Sequence, residues 1–210
     1  MHWEHPGSQD WRRLQSVPDV PGLFRGREQV LLWQAGSGIL SKLAESGHAS
    51  IQGMDAWGRK GVCLGLTGNL KATLYMGEIF DMNAGVVWPR DESDLLALWC
   101  YCSSPEFARD VRILDQQLKL TTRTLVQVPV DLDRWRAFAV DAFPNGLPNP
   151  SSDDPTQWLF RGEVARSRFP LQVAVARLLG FRWPDQEPDA LDAQADEDGI
   201  VCLPAVGGES

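Results

Sequence analysis

Between Gly58 and Pro89 the sequence is cut into apolar runs of five or six residues, each too short for a stable helix and each bounded by turn formers. The runs are 61–66 (GVCLGL), 72–76 (ATLYM) and 84–88 (AGVVW), and the separators include Gly68-Asn69, Gly77 and Asn83. Apolar, β-branched and aromatic residues in this arrangement predict a small sheet of short strands, which Pro89 ends.

Helical patterns come next. Residues 91–101 (DESDLLALWCY) place acidic residues ahead of apolar positions 95, 96, 98 and 99, a helix whose first turn suits its dipole. Ser104, Pro105 and Glu106 then supply a cap, a first-position proline and a first-turn acid, predicting a helix over 105–118. Its stripe of Phe107, Val111, Leu114 and Leu118 is expected to pack on the sheet, while Arg109, Arg112, Asp115 and Lys119 face elsewhere. Residues 120–124 read as a polar turn, 125–130 as a β-branched strand returning to the sheet, and 131–135 as a helix start. The predicted class is α/β in the α+β sense: a small mixed sheet of short strands flanked by helices.

Composition shifts divide the chain. Residues 1–28 are rich in Pro, Gly and charge and read as an irregular opening segment. Residues 29–143 read as one α/β domain, beginning with a strand-like 29–34 that closes on a glycine turn at 35–38. Residues 144–157 (PNGLPNPSSDDPTQ) read as a linker and 158–184 as a small helical module, with a helix over 170–179 opened by Pro170 and closed by Gly180. Residues 185–210 read as an acidic, flexible tail apart from 200–203.

The net charge of −8 speaks against a nucleic-acid partner only until it is located. Residues 1–90 carry nine Lys/Arg against eight Asp/Glu, residues 91–180 ten against twelve, and residues 181–210 one against eight. The body is nearly neutral and the acidity is in the tail. No stretch approaches the roughly 18 to 20 apolar residues that span a bilayer, and the first residues lack a signal-peptide core, so a cytoplasmic location is expected, with no membrane partner. Cys63, Cys100, Cys102 and Cys202 lie in apolar runs without paired CxxC spacing, which reads as buried thiols. Most of the nine tryptophans are expected to be core anchors.

Catalytic constellations are missing. His2, His5 and His48 lack a third ligand partner at metal spacing, and there is no HExxH, GxSxG, phosphate loop or dinucleotide fingerprint. Asp153-Asp154 falls in the linker, where a capping or solvated role outweighs acid/base work. Asn149-Pro150-Ser151 matches only the first half of the Asn-Pro-Pro-aromatic signature that holds the amino group of a flipped adenine. No catalytic and no metal residue is assigned.

Four segments nevertheless carry a resemblance: DAWGRKG at 55–61, TLYMGEIFD at 73–81, WCYCSSPEF at 99–107 and TLVQVPVDLDRW at 124–135. Together they resemble the C-terminal target-recognition region of large single-chain adenine-specific DNA methyltransferases, those of type IIG restriction-modification and of BREX- and DISARM-like phage-defence systems. SDDPTQWLF at 152–160, residues 170–183 and GIVCLP at 199–204 look like the continuation of the same proteins, so the resemblance covers most of the chain. It implies a specificity-domain-like fold, double-stranded DNA as partner, and a methyltransferase catalytic domain or subunit as a second partner. S-adenosylmethionine is implied for the parent enzyme but for no site here, because neither its binding loop nor the Asn-Pro-Pro motif has a counterpart. A fragment, a split gene product or a stand-alone recognition module is therefore expected, with Met1 as an internal start and 207–210 as a cut end.

Sequence-specific readout uses Arg or Lys on guanine edges, Asn or Gln on adenine edges, and further cations on phosphates. The loop-placed candidates are Arg25, Arg27, Arg59, Lys60, Asn69, Lys71 and Arg123, supported by Thr121, Thr122 and Gln34. Each has a plainer reading: Arg59-Lys60 as a solvated turn, Gly68-Asn69 as hairpin chemistry, and Arg109 and Arg112 as ion-paired with Asp110 and Asp115. The rival function is a protein-interaction module that binds other defence subunits through a Trp-rich surface and the acidic tail. The other rival is a self-sufficient enzyme.

Overall fold

A computed structural model describes residues 2–4, 10–162, 167–183, 185–186, 192–197 and 201. The chain forms two compact units, Gly7–Pro150 and Ser151–Ser210 with Met1–Pro6. The boundary falls inside the 144–157 stretch, and the first residues belong with the C-terminal unit rather than with the segment that comes after them.

The larger unit is built on β3 (Gly61–Gly65), the central strand of an antiparallel sheet ordered β4-β3-β6, with β4 at Ala72–Tyr75 and β6 at Ala84–Val87. Pairing runs Val62 to Leu74 on one side and Val62 to Val87 on the other, and all five β3 residues are buried. Burial on both faces explains why the run is continuously apolar instead of alternating. Beside it lies a second three-stranded sheet. Here β1 (Trp11–Gln15) pairs antiparallel with β2 (Gln29–Leu32) and parallel with β5 (Ile79–Phe80). Residues 11–15 are thus a strand within what reads as an irregular opening. The sequence WRRLQ conceals it, because two adjacent exposed arginines and a buried polar Gln15 break the alternation of apolar and polar residues, although β1 is the central strand of its sheet. Gly26, at φ +75, lets the returning chain close on β1; a Cβ there would lie 2.3 Å from the Ser16 carbonyl oxygen.

After Gln34 and Ala35, both at positive φ, comes a short helix, α1 (Ile39–Glu45). Helix α2 (Leu95–Cys102) buries seven of its eight residues and packs on β3 and on α5 (Leu132–Ala142). Tyr101 lies 5.4 Å from the ring of Trp135 and 5.3 Å from that of Phe107, forming the aromatic seam among α2, α5 and α3 (Pro105–Leu114).

Two expectations for this region are corrected. Helix α3 stops at Leu114, so Phe107 and Val111 are buried while Leu114 and Leu118 stand 52% and 80% exposed. Asp115 ends it by accepting from the Gln117 N–H at 2.9 Å in a local turn and from the Thr124 hydroxyl at 2.9 Å. Residues 125–130 do not form a strand. Thr122–Gln127 is helix α4, capped by Thr121, and it packs on β6 over Gly85, where a Cβ would crowd Leu125, Leu66 and Thr122. Gly85 leaves a flat place on the sheet that a helix fills, and this overrides the β-branched composition of the segment.

The smaller unit gathers Trp3, Phe160, Val173, Ala176, Phe181 and Trp183 into a core, with α6 (Pro170–Leu178) contributing its inner face. The Trp183 indole N–H donates to the Pro155 carbonyl at 2.9 Å. Parts of the acidic tail carry short regular elements. β8 (Asp185–Gln186) pairs in parallel with β7 (Arg161–Gly162), and Asp192 accepts a hydrogen bond from the buried Arg177 at 2.7 Å and forms an ion pair with Arg182 at 3.0 Å. The other tail positions, including most of 200–203, lie outside the described residues. Trp3, Trp99, Trp135, Trp158 and Trp183 are core residues, whereas Trp88 is partly exposed. Among the described residues, no helix is long and apolar enough to cross a membrane.

Candidate nucleic-acid interface

The strand β3 sorts the candidate DNA contacts into two ends, because its direction separates the residues before Gly61 from those after Gly65. Rising at about 3.4 Å per residue, it keeps Lys60 and Thr67 on the order of 20 Å apart.

At the Gly61 end, Arg59 donates from Nε to the Asp55 carbonyl at 2.8 Å and lies 5.6 Å over the Trp88 ring. Lys60 pairs with Glu92 at 3.2 Å, both side chains being exposed. An exposed pair of this kind contributes little and exchanges readily with an incoming phosphate.

The Gly65 end is built from two segments distant in sequence. The β3–β4 turn carries Thr67, Gly68, Asn69 and Lys71, and the loop from α3 to α4 carries Lys119 and the cap Thr121, while Thr122 and Arg123, expected in a loop, lie in the first turn of α4. They are joined by a bridge between Thr67 and Lys119 and by the Leu120 N–H donating to the Leu66 carbonyl at 2.8 Å. Arg112 adds a bond from Nη2 to the Gly68 carbonyl at 3.0 Å and a second from Nη1 to the Gln117 carbonyl. Five sequence-predicted residues, Asn69, Lys71, Thr121, Thr122 and Arg123, therefore share one end of the sheet. Asn69, Thr121, Thr122 and Arg123 are exposed, while Lys71 is half-buried with its ammonium on the Asp19 carbonyl. Thr121 has a local duty as well: its hydroxyl oxygen accepts from the Thr124 N–H at 3.3 Å as the α4 cap. A cavity of about 250 Å³ opens beside this end, between Asn69 to Ala72 of the hairpin and Cys102 to Pro105 at the α2–α3 junction.

Two candidates fall elsewhere. Arg27 is a correction: its side chain is 0% exposed, pairs with Glu78 at 3.4 Å, donates to the Leu74 carbonyl at 2.6 Å and lies 5.7 Å from the Phe24 ring centre. Burial lowers its pKa and the Glu78 carboxylate pulls it back up. Such a guanidinium organises the fold and cannot reach a duplex. Arg25 is half-buried with its backbone stitched to β4, the N–H donating to the Thr73 hydroxyl at 3.0 Å. Gln34, at φ +50, folds its side chain against Gly38 and supports the 34–38 turn.

Arg112 and Lys119 are absent from the sequence-derived set. The local pattern offers Asp110 and Asp115 as partners for Arg112, but it donates instead to the Gln117 carbonyl of the following loop and to the Gly68 carbonyl, 44 residues away, which no local spacing reveals. Among the described residues, no group of three His, Cys, Asp or Glu side chains is arranged to hold a metal ion. Burial raises the thiols of Cys63, to about 12, and of Cys102, which keeps both protonated and unreactive.

No protein-family model matches the chain, and no curated protein matches it. What is defined here is a mixed α/β protein of two compact units. Its candidate surface is the loop-bearing end of the antiparallel sheet.

Proposed function

We propose that this chain is the DNA-recognition module of an adenine-specific DNA methyltransferase of the restriction-modification or phage-defence kind. In this reading it positions duplex DNA for a catalytic domain outside these residues, which binds S-adenosylmethionine and methylates a flipped adenine. The observation that carries the reading is the junction of the β3–β4 turn with the α3–α4 loop through Thr67, Lys119 and Leu120. It sets an amide side chain suited to adenine edges, Asn69, on the same end of the sheet as Arg123 and Lys119, cations suited to guanine or phosphate.

The test is binding of the whole chain to a mixed-sequence duplex across a salt series. Phosphate contacts require the logarithm of affinity to fall linearly with the logarithm of salt concentration, by about 0.9 per phosphate neutralised. Absence of binding at low salt refutes the reading.

A second reading, a protein-interaction module, is favoured by α6. Its Leu171, Val175 and Leu178 recur at helical spacing and are exposed. Duplex binding that survives replacement of all three by polar residues separates the two readings.

A further inference from the structure

The basic residues of α3 and the loop after it stand in different situations. Arg109 is exposed, with Glu106 in its field. Arg112 is half-buried, and its two terminal nitrogens are committed to carbonyls of separate loops, Gly68 and Gln117. A planar guanidinium fork can serve two such acceptors at once, which an ammonium on a flexible stem does poorly.

Both loops need an external tie. The β3–β4 turn passes through Gly68 at φ +63 and Leu70 at φ +50; a left-handed leucine is a strained conformation that persists only where its surroundings hold it. Residues 115–121 between α3 and α4 contain no helix or regular strand. The carbonyls of Gly68 and Gln117 would also present acceptor oxygens to any phosphate that approached, and phosphate has no proton to offer them. Arg112 occupies both.

We propose that Arg112 is a positioning residue that locks the β3–β4 turn and the α3–α4 loop into one surface, so that Asn69 and Arg123 engage a duplex together. This rests on the DNA-recognition reading above. It assigns Arg112 no base and no phosphate of its own; its contribution passes through the loops it holds.

The experiment compares the wild-type chain with R112K and R112Q by binding to a mixed-sequence duplex over a salt series, and by amide hydrogen exchange in the absence of DNA. R112K keeps the charge and loses the fork. The expected result is binding roughly tenfold weaker for R112K, about the worth of one charged hydrogen bond, with the wild-type salt slope, and faster exchange at the Leu120 amide. R112K that matches the wild type in affinity and exchange overturns the proposal. So does R112Q that lowers the salt slope by about 1 with exchange unchanged, the signature of a direct phosphate contact. Failure of the wild-type chain itself to bind removes the DNA reading and this role together, whereas R112K binding like the wild type removes only this role.

Discussion

Replacing Glu78 with glutamine asks whether charge or shape holds Arg27 in the interior. Arg27 is wholly buried, the Glu78 side chain is 13% exposed, and the two meet at 3.4 Å. Arg27 also donates to the Leu74 and Arg25 carbonyls. Glu78 anchors its own turn through Oε2, which accepts from the Met76 N–H at 3.1 Å, and through its carbonyl, which accepts from the Tyr75 hydroxyl. Glutamine keeps the volume and the Met76 bond but leaves the guanidinium without its nearest counter-charge. Breaking a buried pair on one side costs about 3–5 kcal/mol. The separation is long and Glu28 contributes a weaker field, which places the expected loss at the lower end, about 3 kcal/mol. For a chain of this size that lowers the melting temperature by roughly 6–12 °C. R27M removes the charge together with its need for a partner and leaves Glu78 close enough to solvent to hydrate, so it should cost less than E78Q. The double variant should recover part of the E78Q loss. Urea unfolding followed by tryptophan fluorescence measures all three. E78Q within about 0.5 kcal/mol of the wild type, the range of ordinary surface substitutions, or R27M more damaging than E78Q, would refute the reasoning.

Three further outcomes are expected. G26A should destabilise the larger unit by about 1–3 kcal/mol, since its Cβ would collide with the Ser16 carbonyl at a positive φ; an unchanged urea midpoint contradicts this. Cys63, Cys100 and Cys102 are buried with raised pKa values, so alkylation of the native protein at neutral pH, mapped by mass spectrometry, should leave all three unmodified until urea is added. Glu106 is held below the usual glutamate range chiefly by the two hydrogen bonds from Arg134, at 2.6 and 2.7 Å. Its folded pKa lies under the unfolded one, so the stabilisation is fully present above about pH 4.5 and is lost as pH falls through the folded value. A carboxyl NMR titration of R134A should move the Glu106 midpoint upward, and an unmoved midpoint rejects the pair as the cause.

Much of the architecture is legible in the sequence because its signals are local. The glycine- and asparagine-bounded runs become β3, β4 and β6. Ser104 caps α3 with its hydroxyl oxygen 3.2 Å from the Phe107 nitrogen, and Asp131 caps α5 in the same way. Pro170 opens α6 and Gly180 closes it. The candidate surface is legible only in part. Residue types suited to DNA edges mark Asn69 and Arg123, but the same criterion marks Arg27, whose flanking glycine and charge read as a loop although the side chain points into the core.

What the sequence by itself determined was where strands and helices begin and which side chains have recognition chemistry, because caps, turn formers and apolar runs act within a few residues. Tertiary structure alone decided the rest. Residues 125–127 became helix because Gly85 offered a place to pack, α3 ended where Asp115 met Thr124, and two arginines that read differently in sequence, Arg27 as a loop cation and Arg112 as a helix residue paired with nearby acids, both turned to the backbone. Arg27 and Arg112 each reach one backbone carbonyl far along the chain, those of Leu74 and Gly68. Those partners exist only once the sheet has brought distant segments within hydrogen-bonding distance.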